Sequence, residues 1–545
     1  MLSSATVTSL ALALTLVGVT CIHPVDETPT IALGSPHFAD ETDSSGIDHS
    51  YGGGATFAVG GGVAAFDCDG DGKPDLYLAG GSNPGALYRN DSPIGGALQF
   101  TRLANPVTDL IDVNGAYPID IDGDGLVDLV VLRNGEAVLL RGLGECRFER
   151  ANEAWAFDGG SAWTTAFSAT WEGAARLPTL AFGHYLRLDA AGSPLEQCAD
   201  NSLVRPKPAG SGYASAAPLA PGYCALSLLF SDWDRSGRRD LRMSNDRQYY
   251  INGQEQLWRM DAIGSPRLYT AEEGWVTMQI WGMGIASYDV TGRGYPDVLL
   301  TSMGDNKLQT LTAGAAQPTY RDIALKRGVT AAQPFTAGDV LPSTAWHPEF
   351  QDVNNDGFVD LFISKGNVST MPDFANRDPS NLLLGQADGT FKESADAAGI
   401  LNFDRGRGAA LVDFNLDGLL DLVEVNYGGP VRLWRNVGAG DAARPAPLGN
   451  WLAIRAVESG PNVDAIGAWI EVQVGRTTQR RELTIGGGHA GGQLGWTHFG
   501  IAAAAGARVR VQWPDGTVGP WLQVNANHFL IAERDSARAR TWQPG

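Results

Sequence analysis

Asp67-Cys68-Asp69-Gly70-Asp71-Gly72-Lys73-Pro74-Asp75 is a nine-residue loop with carboxylates at its first, third, fifth and ninth positions. A short apolar run, Leu76 to Ala79, follows at once. Alternate side chains of such a loop converge on one point, and the glycine makes the sharp turn. A cage of hard oxygen ligands suits calcium; Mg2+ is less apt, because it avoids cages of several protein carboxylates. The pattern returns at Asp120, Asp122, Asp124, Asp128 and again from Asp232, Asp289, Asp352 and Asp413.

These loops begin at 67, 120, 232, 289, 352 and 413, so the steps are 53, 112, 57, 63 and 61 residues. The long step holds two units, one with a degenerate loop. Its midpoint, Trp171 to Leu180, keeps Pro178 and Leu180 where the first copy has Pro74 and Leu76, but has lost the ligands. Counting it gives seven units, and repetition at a fixed period marks a repeat architecture. Strand-like runs follow the loops at Leu129 to Leu132, Val298 to Thr301, Leu361 to Ser364 and Leu422 to Val425. Gly, Asn and Pro punctuate between them. Several short strands per unit fit a propeller blade. Helix–loop–helix calcium sites need Glu at loop position 12. Here that position holds Leu78, Val131, Met243, Leu300 and Ile363, and only Glu424 matches. The expected fold is all-β: a seven-bladed β-propeller with calcium loops over 36–445, then a small β-sandwich-like domain over 446–535. Residues 22–35 read as a linker and 536–545 as a tail.

Ligand chemistry ranks the loops. Asp67, Asp69, Asp71, Asp75 and Asp120, Asp122, Asp124, Asp128 make the strongest two. Asp352, Asn354, Asp356, Asp360 and Asp413, Asn415, Asp417, Asp421 each substitute one Asn, whose neutral carbonyl oxygen calcium accepts. Asp232, Asp234, Ser236, Asp240 carries a weaker hydroxyl. The Asp289 loop has Thr291 and Arg293 at positions 3 and 5, so Arg293 is expected to place its own cation where the metal would be. The Trp171 copy has no site. About four or five Ca2+ ions are therefore expected.

The net charge of -21 argues against a nucleic-acid binder. The six loops alone hold 19 carboxylates, so the acidity belongs mostly to metal sites rather than to a solvating tail. Residues 1–21 read as a signal peptide: Leu10 to Val19 is apolar but too short to span a bilayer. Cys21 closes that stretch, and a lipid anchor there is the alternative to simple secretion. No other segment could cross a membrane. Export permits disulfides. Cys198 and Cys224 flank a Pro- and Ala-rich insertion and are the preferred pair. Cys68 reads as a small buried thiol. No C-x-x-C occurs, so zinc and redox roles have no support.

Gly60-Gly61-Gly62-Val63-Ala64-Ala65-Phe66 before the first loop, Trp281-Gly282-Met283-Gly284 before the Asp289 loop and Arg407-Gly408-Ala409-Ala410-Leu411-Val412 before the last resemble FG-GAP/VCBS repeats, as in the integrin α-subunit propeller. Farther on, Asn462, Ala465-Ile466-Gly467-Ala468, Gly486-Gly487-Gly488, His498-Phe499-Gly500 and Val511-Gln512-Trp513-Pro514-Asp515-Gly516 resemble the ASPIC/UnbV domain. Together they make the chain similar to the cartilage acidic protein family and its bacterial relatives. The resemblance implies an extracellular calcium-binding propeller plus a small β domain, and implies no reaction. In the second domain His489 and His498 read as structural hydrogen-bonders, and Gly486 to Gly492 as a tight loop rather than a ligand site.

Three functions remain open. The first is an exported calcium-binding β-propeller, secreted, periplasmic or at the cell surface and expected to be a monomer. It would bind an extracellular protein or glycan, with calcium structural. Its loops would present a broad recognition surface, with 190–224 and Trp275 to Trp281 as contact regions. The second is a calcium-dependent polysaccharide lyase or hydrolase, for which His184-Tyr185 is the first place to look. No G-x-S-x-G or H-E-x-x-H motif supports it. The third is a structural component of a cell-surface assembly.

Overall fold

The computed structural model describes residues 28–545 except 209, 248–252, 262, 263 and 313. The expected signal peptide, Cys21 and the first part of the expected linker lie outside the described residues. The rest is nearly all β, and each repeat forms one antiparallel sheet. The inner strand of each is almost wholly buried, four residues long in the first sheet and seven in the others. In the second sheet Val113–Ile119 leads through the Asp120 loop into Asp128–Arg133, then Val138–Gly142 and Phe148–Arg150. The degenerate unit obeys the same plan: Thr164–Thr170 and Thr179–His184 flank the Trp171 turn.

Seven such sheets occur among the described residues. Their inner strands neighbour one another in chain order, and Gly406–Val412 of the last returns to Val63–Phe66 of the first. The ring closes through the N-terminus. His37–Asp40 pairs with Arg432–Gly438 and completes the last sheet, so an early segment supplies its outer strand. The result is a β-propeller-like ring in which few strand edges are left bare.

The second domain packs two four-stranded sheets around Leu452, Ile454, Ile470, Val472, Phe499 and Val509. Two boundaries differ from the sequence reading. The expected tail is part of this domain: Arg540–Trp542 pairs with His528–Glu533, and Trp542 packs on Trp496 and Phe529. The described part of the expected linker is docked. Leu33 N–H donates to Asp356 Oδ2 at 2.7 Å, and Arg476 N–H to Thr28 Oγ1 at 3.0 Å.

The expected tight glycine loop proves to be a finger thrust into the middle of the ring. Ile485 bridges Ala169, Gly486 bridges Leu229, Gly488 bridges Ile285 and Gly491 bridges Ala116. Gly492–Leu494 then adds as a parallel strand beside Val63–Phe66. His489 N–H donates to His347 Nδ1 at 3.1 Å, which brings in the sixth sheet. Its carbonyl lies against Gly408 of the seventh. The finger must turn at every step to meet successive strands, and Gly486, Gly487 and Gly488 all have positive φ. Backbone approach is so close that a Cβ on Gly115 would fall 1.7 Å from the Ala490 carbonyl oxygen.

Candidate metal centres

Each acidic loop is held by its own backbone. The first carboxylate accepts two N–H groups across the turn: Gly70 and Gly72 on Asp67 at 2.7 and 2.9 Å, and Gly123 and Gly125 on Asp120 at 2.8 and 2.9 Å. Asp352 takes Asp356 and Gly357, and Asp413 takes Asp417 and Gly418. The ninth residue ties the loop to the sheet. Asp128 accepts Ile121 N–H at 2.7 Å and Gly142 N–H at 2.8 Å, the latter from the third strand. Asp75, Asp360 and Asp421 do the same with Cys68 and Asn90, Val353 and Gly385, and Phe414 and Asn436. The ninth position is therefore a structural acceptor whether or not a metal is bound. Asp128→Ala is expected to cost about 3 kcal/mol even in chelator, because two backbone donors lose their partner. Asp122→Ala should stay within about 1 kcal/mol under the same conditions. Urea midpoints in chelator check the contrast.

Carboxylates of the two strongest loops converge. Oxygens of Asp67, Asp69 and Asp71 lie within 4.8 Å of one another, as do those of Asp120, Asp122 and Asp128. Burial, helped by like charges, pushes the Asp120 carboxyl up to about 6 and the Asp128 carboxyl up to about 8. Burial also raises Asp356 and Asp417 to about 6. Asp122 Oδ1, Asp232 Oδ1 and Asn415 Oδ1 are buried with no hydrogen-bond partner. All three are at ligand positions of their loops. Buried oxygens left without a partner are costly. Three of them on ligand positions, beside carboxylates raised by burial, fit a bound divalent cation.

Arginines enter the loops that lack a full set of carboxylates. Arg293 reaches Leu311 O at 2.7 Å and Thr291 Oγ1 at 3.1 Å, and Arg480 of the second domain sits 3.3 Å from Asp289 Oδ2. In the degenerate unit Glu172 pairs with Arg205 at 2.7 Å and accepts from Thr179 Oγ1 at 2.6 Å. The Asp232 loop is intermediate. Asp240 is taken by Arg238 at 2.9 Å, Trp233 Nε1 at 2.8 Å and Tyr269 OH at 2.7 Å, which leaves Asp232, Asp234 and Ser236.

The acidic loops do not form an open recognition surface. The second domain packs on them, with Trp542 against Gly72, Pro461 against Gly123 and Trp451 against Gly418, while Asp71 and Asp124 stay exposed. Ala502 N–H donates to Asn355 O at 2.9 Å, and His498 Nε2 meets Asn355 Oδ1 at 2.6 Å. Of the two expected contact regions, Trp275 to Trp281 buries Trp275 against Tyr320 and Arg242 but leaves Val276 exposed. The insertion does project, as the hairpin Leu186–Leu188 and Pro194–Cys198.

Cys198 is bonded to Cys224 at the foot of that hairpin. Cys68 is not a free thiol. Position 2 points away from the loop centre toward the next sheet, where it is bonded to Cys146. This link joins the first and second sheets across 78 residues. Cys146→Ser is expected to lower stability by about 2–4 kcal/mol, and adding Cys68→Ser should cost little more; urea titration measures both.

His184 has both ring nitrogens engaged, by Thr164 Oγ1 at 3.2 Å and Ser202 Oγ at 2.9 Å. Burial pushes it down to about 4. That is a structural role.

The chain carries FG-GAP-like repeats, matched by a family model over residues 67–131 and 352–424, and an ASPIC and UnbV domain, matched over 458–539. It is similar to cartilage acidic protein 1 of Mus musculus, with 29% identity over 172 residues, and of Homo sapiens, with 32% over 154. Those stretches are 29% and 28% of this chain and only 23% and 19% of the relatives. Among solved structures, an Agrocybe aegerita lectin that recognises non-reducing terminal N-acetylglucosamine is 15% identical, with a TM-score of 0.38 over 68% of this chain and 93% of that one. BBS1N, solved in complex with ARL6DN, is 8% identical, with a TM-score of 0.41 over 76% and 99%. Neither likeness carries a functional argument.

Proposed function

We propose that this chain is an exported calcium-binding protein in which calcium is structural and the ring serves as an extracellular binding or adhesion module for a protein or a glycan. The observation that carries the calcium assignment is the set of orphaned buried oxygens on Asp122, Asp232 and Asn415. When bound, calcium would add positive charge to loops whose carboxylates are only partly neutralised, by Lys73 at Asp71 and by Arg141 at Asp122 and Asp124. The residues to hold it are Asp67, Asp69, Asp71 and Asp75; Asp120, Asp122, Asp124 and Asp128; Asp352, Asn354, Asp356 and Asp360; and Asp413, Asn415, Asp417 and Asp421. Asp232, Asp234 and Ser236 make a weaker fifth set.

Two disulfides agree with an oxidising compartment. No helix among the described residues is long and apolar enough to cross a membrane. The second domain occupies the acidic-loop side of the ring, so a partner is offered the opposite side, where the Cys198–Cys224 hairpin stands. The engaged ring of His184 argues against general acid–base chemistry there. A glycan array and a pull-down from envelope extracts, each run in calcium and in chelator, test the reading. Capture that needs calcium and is lost when residues 189–193 of the hairpin are shortened is expected. Capture unchanged by both would overturn it.

A further inference from the structure

A cavity of about 170 Å3 remains where the second domain roofs the ring. Its walls come from inner strands of the ring and from residues 481–497. Glu349 organises one wall. Its Oε1 accepts from Gln351 Nε2 and Gln493 Nε2, both at 2.7 Å, and its Oε2 accepts from Leu411 N–H at 3.0 Å. Because the Gln493 nitrogen is committed to Glu349, its Oε1 is the free acceptor, and that atom is buried without a partner.

His347 lines the same wall and is 4% exposed. Its Nδ1 accepts the His489 N–H, so in the neutral ring Nε2 carries the hydrogen. Nε2 is also buried without a hydrogen bond, 3.5 Å from Glu349 Oε2. The cavity therefore offers one unused donor and one unused acceptor, each with its polarity fixed by a neighbour. A metal ion is a poor match, since it would need the Nε2 lone pair while Nδ1 is already accepting. Glu349, Asp464 and Glu482 oppose an anion, while Arg455 and the Arg481 guanidinium, bonded to Gln351 Oε1 at 2.6 Å, oppose a cation. A hydroxyl group is both donor and acceptor. Ile285, Ala410 and Leu494 supply apolar wall for C–H surface.

We propose that this cavity binds a small neutral polyhydroxy compound, a polyol or a single sugar unit, through a hydroxyl that accepts from His347 Nε2–H and donates to Gln493 Oε1. The volume exceeds what one or two waters fill. The site is separate from the partner surface proposed above and does not depend on it.

The test is calorimetric titration of the full chain in calcium with glycerol, D-glucose and D-galactose, followed by a crystal structure of the chain soaked in whichever compound gives heat. Saturable binding is expected for at least one of them. It should weaken roughly tenfold or more when Gln493→Leu removes the acceptor, and should vanish when Ala410→Leu fills the space. Density for the compound on His347 Nε2 and Gln493 Oε1 is expected in the unmodified chain, which keeps the test valid if a variant does not fold. No saturable heat with any of the three, with only waters on those two atoms, would overturn the proposal. So would saturable binding that both variants leave unchanged.

Discussion

Gly115→Ala is expected to cost about 3 kcal/mol or more, although it adds a single methyl group. The new Cβ would fall 1.7 Å from the Ala490 carbonyl oxygen and 2.9 Å from the Ala490 Cβ. Backbone is the obstacle, so no side chain can swing away. Either the finger withdraws, losing the bonds that Ile485 to Gly491 make to the inner strands, or the second sheet shifts and strains its neighbours in a closed ring. Gly62→Ala should behave alike, because its Cβ would lie 1.8 Å from the same oxygen. Gly54→Ala is the control: nothing lies within 4 Å of that Cβ, and its backbone is extended with φ of -73°. Its cost should be a few tenths of a kcal/mol. Thermal melts of the three variants decide the matter. Equal melting temperatures would mean that the finger does not fill the ring in solution.

Removal of calcium is the second large effect expected. Extracellular calcium modules bind with dissociation constants of about 0.1–1 mM, so at about 1 mM calcium each site is filled to between one and ten times its dissociation constant. By mass action, four such sites stabilise the folded chain by roughly 2–6 kcal/mol. The loops lie under Trp451, Pro461 and Trp542, so the loss should be felt at the domain interface as well as within each sheet. Chelator should therefore lower the melting temperature by several degrees, and added calcium should restore it. A melt indifferent to both would leave calcium no structural part.

Much of this architecture could be read from the sequence because it is local. The D-x-D-x-D-G turn, the strand after it and the spacing of copies are each set within a few residues. The lost loop at Trp171 kept enough of its frame, Pro178 and Leu180, to be placed in a sheet. What stayed hidden depends on residues far apart in the chain. The Gly486 to Gly492 stretch reads as a tight loop. Its partners, Gly62, Gly115 and Gly408, lie in three other repeats, and no periodicity links them to it. Cys68 sits in a metal loop, and only folding brings Cys146 beside it. The strand Arg540–Trp542 follows a polar stretch that gives little sign of a sheet, and it becomes ordered against Trp496 and Phe529. Trp275 reads as available for contact because an aromatic residue reads the same in a core and on a surface. The presence of Arg293 could be read in the loop itself, whereas the approach of Arg480 to Asp289 could not.

The metal content of the full chain after gel filtration in calcium is the most direct measurement. Roughly four or five ions per chain are predicted, with one fewer in Asp122→Ala. A chain that elutes without calcium, or a count that Asp122→Ala leaves unchanged, would contradict the account.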